Sequence, residues 1–150
     1  MTPVIFKQRP QDLDVGGLAL MEASLEDFHW GVRQLASELE TNAYIHYWFL
    51  ILGQSYVAYV AGQVLFGELE IVRVYTDPDC RGQGYGGLLL DEVLADSEVD
   101  TAFLEVRSQN QAALNLYRSV GFESVSTRKN YYKHPVDDAI TMIWKEETDE

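Results

Sequence analysis

Cysteine is almost missing from this sequence. Cys80 stands alone, so no internal disulfide can form and the fold cannot depend on an oxidising compartment. Basic residues are scarce as well: 11 Lys and Arg face 24 Asp and Glu, a formal charge of −13. That balance excludes a general affinity for nucleic acid, which needs clustered Lys and Arg against phosphate. It is read either as a source of long-range attraction for basic partners or as a charge that only keeps the protein in solution. Long apolar runs are lacking too. Stretches such as Tyr47–Leu52 are far too short to span a bilayer, and Met1–Pro10 mixes charge into its apolar residues. The expectation is a cytoplasmic chain with no membrane span and no secretory leader. His29, His46 and His134 are scattered without metal-ligand spacing, so no metal site is expected. No repeat, low-complexity block or linker rich in Pro, Gly or Ser divides the chain. One domain over 1–145 is expected, with "EETDE" at 146–150 as a frayed acidic tail.

What is present is an ordered succession of strand and helix patterns. Val4–Arg9 reads as a first strand, and 11–40 as helical with a break near Gly31. Ile45–Leu52 and Ser55–Phe66 read as strands joined at the hairpin signal Gly53-Gln54, and Glu68–Thr76 follows. A helix from about Gly84 to Ala95 precedes the strand "TAFLEVR" at 101–107. Ser108-Gln109-Asn110-Gln111 has the S-x-x-Q form of a capping box, opening a helix that runs to Val120 and stops at Gly121. Phe122–Asn130 and Ala139–Lys145 close the chain as strands. The order is mixed α/β, with a right-handed strand–helix–strand crossover around the glycine turn.

That turn, "TDPDCRGQGYGGLLLDEVL" at 76–94, packs four glycines into positions 82–87. Three phosphate-holding patterns compete for it. A Walker loop ends in Gly-Lys-Ser/Thr, and no Lys lies between 77 and 128. Gly82, Gly84 and Gly87 spell the dinucleotide fingerprint G-x-G-x-x-G. However, Asp77–Arg81 separate the first glycine from the strand, and too little chain follows for a doubly wound sheet. The third pattern, Q/R-x-x-G-x-G/A, is met by Arg81, Gly84 and Gly86 between a strand and a helix. Glycines there let the backbone approach a pyrophosphate, whose charge the helix N-terminus favours, and Arg81 adds a charge-assisted contact. A turn without a ligand does not account for glycines in a first helical turn, where each costs about 1 kcal/mol relative to Ala.

Further candidates lie downstream. In "TAFLEVR", Ala102, Leu104 and Val106 share one face, and Phe103, Glu105 and Arg107 the other. Glu105 is read either as a carboxylate desolvated beside Phe103, and so a better base near neutrality, or as a half-exposed partner of Arg107. Asn110 and Tyr117 are seven residues apart, nearly two turns, and point the same way about 10 Å apart. Cys80 reads as a small turn residue rather than a nucleophile.

The third glycine pattern resembles the acetyl-CoA-binding turn of the GNAT superfamily of N-acetyltransferases. "LEVRSQNQAALNLYRSVGFE" at 104–123 is similar to that family's last sequence block, and more narrowly to its ribosomal-protein alanine N-acetyltransferase branch. "RKNYY" followed by "DDAITM" is similar to the same branch. The likeness is close over 68–145 and loose over the first 60 residues, where Trp30 carries it. It implies a GNAT fold: a twisted mixed sheet of about seven strands flanked by about four helices, with splayed parallel central strands that admit acetyl-CoA. It implies acetyl transfer to the N-terminal α-amine of a protein, a ribosomal-protein alanine with a basic chain terminus.

The resemblance also implies roles. Val74, Tyr75 and Thr76 would bind the coenzyme arm through their backbone, and Arg81, Gly82, Gln83, Gly84, Tyr85, Gly86 and Gly87 its phosphates. Asn110 would hold the pantetheine arm or the turn beside it. Tyr117 would act as general acid, Glu105 as general base through water, and Tyr131 and Tyr132 as walls for the acceptor. The chain departs from the branch at Arg73 and Tyr75, where small residues are usual, and at Gly87, where a base often stands. Two rival readings remain: acetylation of a small-molecule amine, and a non-catalytic acyl-CoA-binding module in which Glu105 and Tyr117 are dispensable.

Overall fold

Segments rich in β-branched and aromatic residues become strands here. A computed structural model describes residues 2–8, 37, 41 and 43–147. Its strands are β1 (Val4–Gln8), β2 (Ile45–Leu52), β3 (Ser55–Leu65), β4 (Glu68–Thr76), β5 (Thr101–Arg107), β6 (Glu123–Lys133) and β7 (Val136–Lys145). They form one seven-stranded mixed sheet in the order β1-β2-β3-β4-β5-β7-β6. Two α-helices lie among the described residues, α1 (Tyr85–Leu94) and α2 (Gln111–Ser119), with a 3-10 turn at Pro78–Cys80 before α1. Of the about four helices expected, those over 11–40 lie outside the described residues but for Ser37, and Trp30 and positions 148–150 lie outside them too. Ser37 and Thr41 are both helical, and Thr41 Oγ1 donates to the Ser37 carbonyl at 2.7 Å.

β4 and β5 run parallel because a helix, α1, joins them; a tight turn links only antiparallel neighbours. Their pairing covers only Glu68–Glu70 against Thr101–Phe103. Just beyond, the β3–β4 register slips between Ala61 and Gly62, leaving Val72 as an extra residue on β4. A bulge bends its strand and ends pairing. Here it keeps β4 with β3 and lets it part from β5, which opens the sheet toward Thr76.

The core lies where α1 and α2 cover one face of the sheet. Leu89, Leu90 and Val93 of α1, with Leu114 of α2, meet Leu50, Val60, Leu69, Ala102 and Leu104, all nearly inaccessible. Each such side chain contributes about 1.5–3 kcal/mol when fully buried. β2 and β3 are buried on both faces, so neither shows a clean polar–apolar alternation. Their second face carries an aromatic layer in which Tyr47 stacks on Phe49 and Phe49 meets Tyr56 edge-on.

Two local expectations are corrected. The helix cap of α2 is Asn110, whose Oδ1 accepts from the Ala113 amide at 3.1 Å; Ser108 does not cap it. Ser108 Oγ donates instead to Asp137 on β7, holding that carboxyl below the usual range. The final hairpin is also longer than the pattern suggested. After an irregularity past Arg128, Tyr132 and Lys133 pair again with Asp137 and Val136. Asn130 absorbs the irregularity at φ 54, a region Asn tolerates, and its amide donates to Asp138 Oδ1 at 2.9 Å.

Candidate active site

The split between β4 and β5 opens into a cleft of about 580 Å³. Val74, Tyr75 and Thr76 form one wall, Arg81, Gly82, Gly84, Tyr85, Gly86 and Gly87 the turn, and Asn110 and Tyr117 of α2 the opposite wall. Of the turn residues proposed from sequence, only Gln83 stands outside these walls, exposed to solvent. Gly82 and Gly84 have φ of 78° and 86°, and a Cβ on either would meet nothing within 4 Å. Backbone conformation and open approach, not packing, therefore call for glycine at both. Gly86 differs: a Cβ there would stand 3.3 Å from Leu116, so this glycine lets α1 and α2 lie close.

Gly84 is the N-cap of α1 and offers no side-chain acceptor, which leaves the first-turn amides directed at the cleft. Arg81 Nε donates to the Thr76 carbonyl at 3.1 Å and pins the turn to the end of β4. Cys80 also borders the cleft. Burial, with Asp77 and Asp79 nearby, pushes its thiol up, the opposite of what a nucleophile needs. Arg73 leaves the cleft altogether; its Nη2 donates to the Tyr47 hydroxyl at 2.8 Å on the aromatic face. Tyr75 stacks on Tyr59, ring centroids 5.7 Å apart.

Tyr117 belongs to both core and cleft. It is 9% exposed, meets Phe122 edge-on, and burial together with Tyr132 pushes its hydroxyl up to about 12. Glu105 does not line this cleft. It lies on the sheet face away from α1 and α2, in a groove of about 290 Å³ shared with Phe103, Tyr131 and Tyr132. Its side chain is 29% accessible and faces Arg128, 3.9 Å away across the sheet, where the half-exposed reading has Arg107 as its partner. Arg107 lies over the Tyr132 ring at 4.2 Å. Burial, then the Glu105 carboxylate, push the Tyr132 hydroxyl up against the opposing pull of Arg107. Tyr132 thus stands beside Glu105 in the groove, and its hydroxyl adds to the rise of the Tyr117 hydroxyl.

A sequence model of the Acetyltransferase (GNAT) family matches residues 17–122. The chain belongs to the GNAT acetyltransferase family. Among curated relatives of this GNAT chain, the [Ribosomal protein bS18]-alanine N-acetyltransferase of Escherichia coli K12 is 33% identical over 115 residues, 75% of this chain and 76% of that protein. N-alpha-acetyltransferase RimI of Mycobacterium tuberculosis is 45% identical over 75 residues, 50% of this chain and 48% of its own length. The match to that relative thus spans about half of it. The crystal structure of the ribosomal-protein-S18-alanine N-acetyltransferase from Escherichia coli superposes with a TM-score of 0.75 at 28% identity, covering 99% of this chain and 97% of that one.

Sequence reasoning missed part of this GNAT cleft. Ala112, Ala113, Asn115 and Leu116 also line it, one face of α2 between the two residues named in advance. Helical spacing carried that signal: Asn110, Ala113 and Tyr117 follow at steps of three and four. Among the described residues no group of three or more His, Cys, Asp or Glu is placed to hold a metal ion, and no helix is long and apolar enough to cross a membrane.

Proposed function

We propose that this acetyltransferase moves the acetyl group of acetyl-CoA directly to the N-terminal α-amine of a protein, an alanine of a ribosomal protein being the acceptor its relatives' names suggest. The observation that carries the reading is the arrangement of two openings around one gap. The cleft bears the glycine turn and Tyr117, and the groove bears Glu105, Tyr131 and Tyr132 where the pairing of β4 with β5 ends. Coenzyme and acceptor can then meet from opposite faces of the sheet. The cleft's volume, its glycines open to close approach and its free helix amides suit a pyrophosphate and a narrow arm.

The residues divide the work accordingly. Glu105 takes a proton from the acceptor ammonium through water, and the freed amine attacks the thioester carbonyl. The backbone amides of Val74 and Thr76, on the side of β4 that β5 leaves open, would stabilise charge on the carbonyl oxygen. As the carbon–sulfur bond breaks, Tyr117 gives its proton to the departing sulfur and is restored by the proton that the nitrogen, now bonded to the acetyl carbon, releases through water. An α-ammonium has a pKa of about 8 against about 10.4 for Lys, so freeing it at neutral pH is easier by roughly 3 kcal/mol. One accessible carboxylate suffices for the first and is strained for the second. Mass spectrometry after incubation with acetyl-CoA tests this, comparing an Ala-initiated basic peptide with the same peptide N-terminally blocked and bearing a free Lys. Acetylation of the α-amine is expected; faster acetylation of the blocked peptide refutes the assignment.

A further inference from the structure

On the face of the sheet away from α1 and α2, the groove at Glu105 is followed by a second cavity of about 340 Å³ between Glu68, Phe103, Ile143 and Lys145. The two cavities share Phe103 as a wall and lie in succession along β5, and the surface they line runs from Tyr132 toward Thr101. Strand register explains its floor. Glu70, Phe103, Ile143 and Glu123 lie in one cross-strand row, and Glu105, Thr141 and Ser126 in the next. An apolar centre, Phe103 with Ile143, is therefore flanked by the carboxylates of Glu68, Glu70, Glu105 and Glu123, of which Glu105 faces Arg128. Lys145 is the one basic residue lining either cavity among the described residues.

The geometry points to a docking trough for the body of a basic, extended polypeptide whose amino terminus stands at Glu105. This rests on the α-amine reading above and names the chain that would follow the amine. Thr101 to Glu105 spans four residue steps, about 13 Å of strand, room for about four residues of extended chain. β5 is paired with β7 along its length and with β4 as far as Phe103, so over Thr101–Phe103 its backbone has no ladder bonds to offer and recognition falls to side chains. An apolar acceptor residue covers Phe103 and Ile143, while Lys or Arg side chains reach Glu68 and Glu70. A carboxylate-rich chain is repelled by the same groups and by the net charge of −13.

Steady-state kinetics at saturating acetyl-CoA test the trough with three acceptors: an Ala-initiated dipeptide amide, a basic octapeptide with the same start, and that octapeptide with its bases replaced by Glu. The basic octapeptide is expected to show KM about tenfold below the dipeptide at similar kcat, and the acidic one no advantage. Ile143→Lys is expected to erase the octapeptide's advantage while Ile143→Leu keeps it. Glu68→Lys, at an exposed position, gives the same answer should Ile143→Lys misfold. Equal KM for dipeptide and basic octapeptide, or an advantage surviving both charge substitutions, overturns the trough and leaves the α-amine reading standing. Acetylation of neither peptide, with a blocked Lys peptide accepted, overturns that reading and the trough with it.

Discussion

Tyr117 is packed like a core residue and placed like a reactive one. Tyr117→Phe keeps the edge-on contact with Phe122 and removes only the hydroxyl. Turnover is expected to fall by a factor of about 10², with acetyl-CoA affinity by calorimetry unchanged. Because burial raises this hydroxyl to about 12, it stays protonated where an ordinary tyrosine, near 10, has begun to ionise. The parent enzyme's pH–rate profile should therefore show no loss assignable to Tyr117 between pH 7 and about 10; an alkaline limb in that range that vanishes in Tyr117→Phe contradicts the assignment. Gly84 tests the turn in a different way. Gly84→Ala places a methyl in open space, so its structural cost is the left-handed backbone alone, about 1–2 kcal/mol. Acetyl-CoA affinity is expected to drop more than stability does, because the methyl occupies the path of close approach; calorimetry and thermal melts separate the two. The glycine turn was legible in sequence because it is one contiguous stretch. The surroundings of Glu105 were not, since Arg128 reaches it from a strand that pairs with β7, not with β5.

The helices and strands were legible wherever one periodicity dominated, as in α1, whose Leu89, Leu90, Val93 and Leu94 form a single buried stripe. Element ends were harder, because long-range partners decide them. Ser108 has the local form of a cap but is taken by Asp137 from β7, leaving Asn110 to cap α2. β6 outruns its pattern because Asp138 holds the Asn130 amide and Lys129 (3.1 Å) across the hairpin. Asn110 is thus an element-scale residue that also borders the cleft. Asn110→Ala is expected to cost about 1 kcal/mol in denaturant unfolding, the usual loss of a cap. Asn110→Asp retains a capping oxygen and should unfold near the parent, while its added negative charge and missing amide donor weaken acetyl-CoA binding. Equal coenzyme affinity in parent and Asn110→Asp would restrict Asn110 to its structural role.

At the scale of the whole molecule, charge and topology act together. A split sheet gives two entrances, and the faces at those entrances differ in character. The cleft presents backbone amides and Arg81, whereas the face away from α1 and α2 presents Glu68, Glu70, Glu105 and Glu123 against Lys145 and Arg128. The excess of 24 acidic over 11 basic residues extends that negative field beyond the site. Such a field acts chiefly on encounter, and salt screens it over about 10 Å at 0.1 M. For a basic octapeptide acceptor, kcat/KM is therefore expected to fall several-fold as ionic strength rises from about 0.05 to about 0.3 M, with kcat nearly constant. An uncharged Ala-initiated peptide of equal length, measured in the same buffers, should change little, because salt acts on the field and not on the Tyr117 step. Should the two peptides respond alike, the acidic surface serves solubility alone, and acceptor choice must come from short-range contacts at Glu105, Tyr131 and Tyr132.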